Sequence, residues 1–314
     1  MYNIECFKLR VSESGPDPLD LKAAKCVHEV RCEFPSVRTE PITIAADPFL
    51  FVHQETLFLF YERKTMYSKA DIVMECTKDL VSWTEPVVVL REDYHLSFPF
   101  VFEENGHVYM IPEACASNSI RLYEADDEGL THFSYCAALL QDTEPEKKEF
   151  SYSDSSILKK QNLYYLFTSY RNLQNQDIAE LYVADSLSGP YRRHPASPIS
   201  VSNKYARCAG SVLTVGDRKL RFVQDCEKRY GDNVHVMRID QLSAQEYEEN
   251  VSLENLIPTE LRFYREGGHQ YNSVVFKGRT MIATDAKEYH YFVVNHALHR
   301  LRRMIRHRES HRQA

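Results

Sequence analysis

The sequence lacks long apolar runs and the glycine-rich motifs that hold phosphate groups. No stretch reaches the ~18 apolar residues that a membrane-spanning helix needs, so no span is predicted. Only 10 of the 314 residues are glycine, and there is neither a G-x-x-x-x-G-K-[ST] loop nor an H-E-x-x-H motif. These absences exclude a P-loop nucleotide site and a zincin-type metal site.

The sequence also lacks paired cysteines, a secretion signal and an excess of positive charge. Its eight cysteines include no C-x-x-C pair, which predicts reduced, buried thiols and no structural zinc site. The start, MYNIEC, shows no basic segment followed by an apolar one, so a cytoplasmic location is expected. A net charge of −7 argues against nucleic acid as a partner.

What the sequence does contain is a recurring pair of apolar strands joined by a polar turn. The copies begin at positions 47, 98, 154, 209 and 272, at intervals of 51, 56, 55 and 63 residues. Between copies lie a third strand, an Asp-anchored turn and an outer fourth strand, as in residues 72–83. Four strands in a repeat of roughly 50 residues are typical of propeller blades. The sequence therefore predicts an all-β fold, a five-bladed β-propeller.

Three segments are expected. Residues 1–44 provide an N-terminal strand and loop that close the ring, residues 45–296 form the propeller, and residues 297–314 form a tail. Residues 243–255 are read as including a short helix. The tail carries six arginines against one glutamate, and its apolar residues share one helical face. This pattern predicts a short basic helix, either peripheral on an anionic membrane surface or packed on the propeller.

Six carboxylates are expected around one mouth of the propeller. The first strand of each blade lines the central channel, so its start and the end of the second strand meet there. The residues at these positions are Asp47, Glu62, Glu113, Asp154, Asp225 and Asp285. Such a set raises some carboxyl pKa values unless a cation compensates. For one carboxylate alone a turn cap is the simpler interpretation, but the set predicts a polar ligand site.

A sugar is the ligand that these residue types fit best. Carboxylates accept hydrogen bonds from hydroxyl groups, and rings at the same strand ends offer flat faces to sugars. Those rings are His95, Phe98, Tyr230 and His269. Carboxylate pairs also support glycosyl transfer through an oxocarbenium-like transition state. Arg207 and Arg229 could hold the phosphate of a nucleotide-sugar donor, because a guanidinium group matches phosphate geometry.

Several stretches together resemble a known domain: ADPFLF (46–51), HLSFPFVF (95–102), YMIPE (109–113), ARCAG (206–210) and QDCEKRYG (224–231). They resemble the five-bladed propeller domain found N-terminally in plant glucosamine inositolphosphorylceramide transferases. Bacterial proteins of polysaccharide gene clusters carry a similar domain, and family-43 and family-32 glycoside hydrolases are more distant relatives. The resemblance covers roughly residues 40–290.

The resemblance implies roles for individual residues. Asp47 matches the blade-one catalytic Asp of family-43 enzymes, a general base in inverting members. Residues 267–269 (GGH) resemble the element that holds a channel water or cation, here near His269. Two positions depart from the pattern, since Phe98 replaces a second Asp and Asp154 replaces the expected general-acid Glu. Glu113 is the alternative acid.

Three functions remain open. The first is a membrane-peripheral glycosyltransferase or related sugar-transfer enzyme of surface polysaccharide or glycolipid synthesis, acting on a glycan or glycolipid acceptor. The others are a furanosidase-type glycoside hydrolase and a non-catalytic carbohydrate-binding propeller. The predicted catalytic residues are Asp47, Glu113 and Asp154. The predicted substrate-binding residues are Glu62, His95, Phe98, Arg207, Asp225, Arg229, Tyr230, His269 and Asp285.

Overall fold

The structure is a computed structural model that describes residues 3–34, 40–291 and 297. The prediction of an all-β fold is confirmed, because the described residues form strands joined by turns and by three short 3-10 segments (Cys115–Ser117, Pro145–Lys147 and Arg262–Tyr264). In chain order the strands are β1 (Asn3–Glu13), β2 (Lys25–Val30), β3 (Ile42–His53), β4 (Thr56–Thr65), β5 (Asp71–Thr77), β6 (Val87–Leu90), β7 (Ser97–Glu104), β8 (His107–Glu113), β9 (Ser119–Ala125), β10 (Phe133–Gln141), β11 (Lys148–Lys160), β12 (Leu163–Asn172), β13 (Asp177–Ala184), β14 (Arg192–Arg193), β15 (Ser200–Val201), β16 (Leu213–Val215), β17 (Arg218–Asp225), β18 (Asn233–Leu242), β19 (Tyr247–Leu253), β20 (Tyr271–Phe276) and β21 (Arg279–Tyr291).

Three of the sheets follow the chain directly. They contain β7 to β10, β11 to β15, and β16 to β19, with each hairpin pairing neighbouring strands antiparallel. The fourth strands are short or irregular, as expected for strands at a sheet edge. The short helix read into residues 243–255 is wrong, because β19 occupies most of this segment and pairs with β18.

The largest sheet joins the two ends of the described chain. Strand β1 pairs antiparallel with β21 from Asn3↔Tyr291 to Glu13↔Met281. It also meets β3 through one parallel pair, Phe7↔Ile44. The eight strands thus divide into two four-stranded parts, β3 to β6 and β20–β21–β1–β2, joined at that pair.

The first strands of the first three repeats, β3, β7 and β11, carry the same irregularity. Each repeat is called a unit below. Their register with the second strand shifts between Ala46 and Phe49, between Ser97 and Phe100, and between Ser153 and Ser156. At these bulges Asp47, Phe98 and Asp154 have φ values of 52°, 45° and 49°. A left-handed non-glycine residue costs roughly 1 kcal/mol or more, and a bulge redirects side chains. The bulges therefore remove equivalent residues of the three strands from the regular ladder.

Apolar side chains fix the units against each other. The rings of Phe49 and Phe98 meet edge to face at 4.9 Å, and both lie in a buried cluster that includes Leu166 and Phe167 of β12. Burying a Phe side chain contributes about 1.5–3 kcal/mol. This packing holds the bulges of neighbouring units in register.

Among the described residues, no helix is both long enough and apolar enough to cross a membrane. The predicted basic helix of residues 297–314 lies outside the described residues, apart from Ala297.

Candidate functional site

Carboxylates of one unit bind the backbone of the next at the bulges. Asp285 Oδ2 accepts a hydrogen bond from the Asp47 N–H (3.2 Å), and Asp47 Oδ2 accepts one from the Phe98 N–H (3.0 Å). Glu113 Oε2 accepts one from the Asp154 N–H (3.2 Å). Each donor belongs to a left-handed residue that the bulge removes from the regular ladder. Three of the predicted carboxylates are therefore positioned by neighbouring backbone.

One half of the site, called here the imidazole half, consists of Asp47, His269 and Asp285. The Nε2 atom of His269 lies 3.2 Å from Asp47 Oδ1, and its Nδ1 lies 2.7 Å from Asp285 Oδ2. Asp285 Oδ1 also accepts the backbone N–H groups of His269 (2.8 Å) and Gln270 (3.1 Å). All three side chains of this half are buried, so their charges act on one another with little screening.

Burial and charge place two pKa values of the imidazole half near neutrality. Burial raises the pKa of Asp47 to about 7, even though the nearby His269 acts in the opposite direction. Burial would lower the pKa of His269, but Asp285 and Asp47 outweigh it and raise that pKa to about 9. Protons can therefore enter and leave this half between pH 7 and 9.

Two glycines allow His269 to reach this position. A Cβ on Gly267 would lie 2.5 Å from the Asp232 carbonyl oxygen, and one on Gly268 would lie 2.3 Å from the Asp285 carbonyl oxygen. Gly267 also has a φ of 93°, which side chains rarely permit. The GGH sequence is therefore needed for the backbone to pass this close to β21.

The imidazole half also has the donor set of a cation site. Ligand atoms of Asp47, His269 and Asp285 lie within 4.8 Å of one another. Asp47 Oδ1 is buried and makes no directed hydrogen bond within the described part of the chain. Two carboxylates and an imidazole fit a divalent cation. When His269 is protonated, it supplies one positive charge to these carboxylates, whereas a divalent cation supplies two.

The other half, the guanidinium half, consists of Glu113, Asp154 and Arg207. Arg207 Nε donates to Asp154 Oδ2 (2.5 Å), and its Nη2 donates to Glu113 Oε2 (3.2 Å). Gln224 Nε2 donates to the same Asp154 oxygen (2.9 Å). Burial raises the pKa of Asp154 to about 7, although Arg207 acts to lower it. Because a guanidinium group does not lose its proton, the positive charge of this half is permanent.

Tyr230 and the His95–Glu62 pair complete the site. The Tyr230 ring lies 5.0 Å from the His269 ring and 5.2 Å from Arg207 Cζ, so it contacts both halves. It is 37% exposed and offers a stacking surface at the mouth. His95 Nε2 lies 3.2 Å from Glu62 Oε1.

Three predicted site residues are not part of this arrangement. The Phe98 ring is completely buried in the core, so only its backbone N–H serves the site. Asp225 contacts His235 Nε2 (3.2 Å), and Arg229 contacts Asp232 (2.8 Å). Both line a separate cavity of about 400 Å³.

Strand alternation explains the error at Asp225. Successive side chains of a strand point to opposite faces, so Gln224 and Asp225 at the end of β17 cannot both face the centre. Gln224 faces Asp154, and Asp225 faces β18. Gln224 was not predicted, because an amide at a strand end is a weaker signal than a carboxylate; its one signal is that it directly precedes Asp225.

Buried polar atoms without a directed hydrogen bond are concentrated in this region. Within the described ranges they include atoms of Asp47, Glu62, His269 and Gln270. The atoms of Asp47, Glu62 and His269 still have an oppositely charged partner within 3.2 Å, so they are held by ion pairs and not by directed hydrogen bonds.

Solved structures give the fold first. The chain is similar to a family 117 glycoside hydrolase from Zobellia galactanivorans (TM-score 0.54, 12% identity, 77% of this chain and 84% of that chain). It is also similar to the GH32 β-fructofuranosidase of Bombyx mori (TM-score 0.54, 13% identity, 76% of this chain and 54% of that chain). At these identities the likeness shows the fold, which is that of propeller-type glycoside hydrolases.

The sequence comparisons then give the family. The chain belongs to the family described as "Glucosamine inositolphosphorylceramide transferase 1, N-terminal", which matches residues 5–275. It is 31% identical over 271 residues to glucosamine inositolphosphorylceramide transferase 1 of Arabidopsis thaliana (84% of this chain, 33% of that protein). It is 32% identical over 225 residues to the protein of that name from Oryza sativa subsp. japonica (69% and 29%). The predicted resemblance is confirmed, and the chain spans about a third of these relatives.

Proposed function

We propose that this chain is a sugar-transfer enzyme that moves a glycosyl group onto a glycan or glycolipid acceptor. The observation that carries the proposal is the imidazole half, in which Asp47 is buried against His269 and keeps Oδ1 without a directed hydrogen bond. The family relatives are named glucosamine inositolphosphorylceramide transferases, and a name that joins a sugar with a ceramide lipid supports the same substrate class.

The proposal includes a five-bladed ring. The three sheets that follow the chain count as one blade each, and the largest sheet counts as two, β3 to β6 and β20–β21–β1–β2. In this scheme β1 closes the ring by lying beside β21, and the single pair between Phe7 and Ile44 is a contact between blades one and five. The bulged first strands then face a common axis, which accounts for the meeting of Asp47, Asp154 and His269.

In this proposal Asp47 is the general base. A base with a pKa of about 7 is half ionised at neutral pH and can take the proton of an acceptor hydroxyl. His269 and Asp285 hold its orientation and compensate its charge. The hydroxyl oxygen then attacks the sugar carbon as the old bond breaks, through an oxocarbenium-like transition state.

In the proposal, the guanidinium half contributes a positive charge that does not change with pH. Arg207 directs two of its N–H groups at Glu113 and Asp154, so these groups are already engaged and are not directed at a donor phosphate. Arg229 lies beside the separate cavity. This arrangement favours a glycoside over a nucleotide sugar as the glycosyl donor.

The test is turnover by purified protein of aryl glycosides and glycolipids, offered with glycan and glycolipid acceptors and followed by mass spectrometry. Asp47→Asn keeps an oxygen that can accept the Phe98 N–H but loses the base, so we expect the rate to fall by about 10²-fold or more with substrate binding retained. The matched control, Asp225→Asn, should retain the rate.

Two outcomes would contradict the proposal. Release of free sugar at the same rate with and without an acceptor would identify a glycoside hydrolase. Saturable binding of glycans, weakened by Asp47→Asn but with no turnover of any compound, would identify a carbohydrate-binding propeller.

A further inference from the structure

One imidazole–carboxylate pair lies at the site but belongs to neither half. His95 Nε2 lies 3.2 Å from Glu62 Oε1, and the two side chains differ in exposure, at 39% for His95 and 7% for Glu62. The carboxylate is therefore buried, and the imidazole reaches solvent. A buried carboxylate behind a partly exposed imidazole can orient the ring and stabilise its protonated form.

Two chain connections place this pair next to Asp47. Glu62 on β4 pairs in register with Ala46, the residue before Asp47. His95 lies three positions before Phe98, whose N–H donates to Asp47 Oδ2. The pair is therefore held beside the base from two directions, by β4 and by the segment that leads into β7.

The carboxyl groups of the site are already committed. Glu113 and Asp154 both accept from Arg207, and Asp285 accepts from three backbone N–H groups. Asp154 is also almost completely buried, and the guanidinium group of Arg207 lies against its carboxyl group. A group that gives a proton to a substrate must have a donor atom that is not already engaged, and His95 lies outside the Arg207 contacts that hold Glu113 and Asp154.

The charges that face His95 come from two elements, β4 and β8. Burial acts to lower its pKa, while Glu62 on β4 and Glu113 on β8 act to raise it, and Lys64 on β4 acts against them. The net effect is a raised pKa, so a larger share of His95 is protonated at neutral pH than for a free histidine.

We propose that His95, held by Glu62, is the proton donor to the oxygen that leaves the sugar carbon. The inference rests on the proposed sugar transfer and sharpens it, because an oxygen that needs a proton is that of an alcohol and not that of a diphosphate. The donor substrate is then a glycoside.

The bond between the sugar carbon and the leaving oxygen breaks, its electron pair stays on that oxygen, and the His95 Nδ1 proton joins it, because Nε2 faces Glu62. Asp47 takes the proton of the incoming hydroxyl, whose oxygen forms the new bond to the sugar carbon. After release of the product, Asp47 loses its proton to water and His95 regains one.

Aryl glycosides with different leaving groups test this role. A dinitrophenyl group departs without a proton, whereas an unsubstituted phenyl group needs one. We expect His95→Gln to lower kcat/KM for the phenyl glycoside by about 10²–10⁴-fold and to change that for the dinitrophenyl glycoside only a few-fold. The matched control is His107→Gln, which removes another histidine paired with a glutamate, on the β7–β8 hairpin (2.6 Å from Glu124).

The pH profile tests the part played by Glu62. Activity should fall as the pH rises through the pKa of His95, and Glu62→Gln should move this fall to lower pH because it removes a carboxylate that stabilises the imidazolium form. Titration of the His95 ring by NMR in both proteins measures the same shift without any substrate.

Several results would overturn the inference. An equal loss on both glycosides in His95→Gln would indicate a structural or binding role, and unchanged rates on both would remove the residue from the reaction. If Glu62→Gln leaves the NMR pKa of His95 unchanged, the two side chains do not act as a pair, even in an active enzyme. A wild-type protein that turns over neither glycoside, alone or with acceptors, would instead refute the proposed function, and this inference with it.

Discussion

The two halves of the site are built alike and behave differently. Each contains two buried carboxylates and one cationic side chain, His269 in the imidazole half and Arg207 in the guanidinium half. An imidazole can lose its proton near neutral pH, and a guanidinium cannot. The first half can therefore exchange protons with a substrate, and the second supplies a charge that does not change with pH.

The same contrast applies to the backbone. In both halves a carboxylate accepts the N–H of a left-handed residue, Asp285 for Asp47 and Glu113 for Asp154. The backbone contact is shared, so the identity of the cation is what separates the two halves.

Removing the permanent charge should have the largest effect. Arg207→Met leaves Glu113 and Asp154 buried without their cation, and breaking a buried pair on one side costs about 3–5 kcal/mol. The free energy of unfolding at pH 7, measured by urea denaturation, should fall by that amount. Arg229→Met removes an arginine that is 53% exposed and should change it by no more than about 0.5 kcal/mol. Equal losses in the two variants would show that the buried triad has no special role.

Removing the titratable charge should have a smaller, pH-dependent effect. The pKa of His269 is raised in the folded protein, from 6.5 to about 9, so its stabilising contribution is complete below pH 6.5 and is lost as the pH rises through 9. Between pH 7 and 9 the wild-type protein should therefore lose about 2 kcal/mol more than His269→Gln. Parallel stability curves for the two proteins would mean that His269 is neutral throughout this range.

The carboxylate outside both halves should matter least. Asp225→Asn keeps an oxygen near His235 and should change the free energy of unfolding by about 0.5 kcal/mol or less, with glycan binding unaffected. Gln224→Leu is the neighbouring comparison, because it removes a hydrogen bond to Asp154 and should weaken glycan binding more. If Asp225→Asn weakens glycan binding more than Gln224→Leu does, Asp225 belongs to the site.

Local patterns in the sequence were enough to locate much of this arrangement. Asp47 and Glu62 were predicted together because a hairpin returns the chain to the edge where it began, and their backbones do lie side by side. The same logic located Glu113 and Asp285. It failed at Asp225, because this residue lies one position along the strand from Gln224, which faces the site. A shift of one position turns the side chain to the opposite face.

Contacts between units could not be read in this way. Nothing in the spacing of Glu113, Asp154 and Arg207 shows that one guanidinium spans two carboxylates from different sheets. The burial of the Phe98 ring also depends on how two units pack, because an aromatic residue at a strand start suits both a core and a binding surface.

Alternation and turn chemistry act between residues close in the chain, so the strands, their repeat and the carboxylates at their ends follow from local sequence. The packing of the sheets settled which carboxylate meets His269 and which meets Arg207, and which side chains stay open to solvent. Those outcomes depend on burial and on charges brought together from distant parts of the chain, and both arise only when the sheets pack.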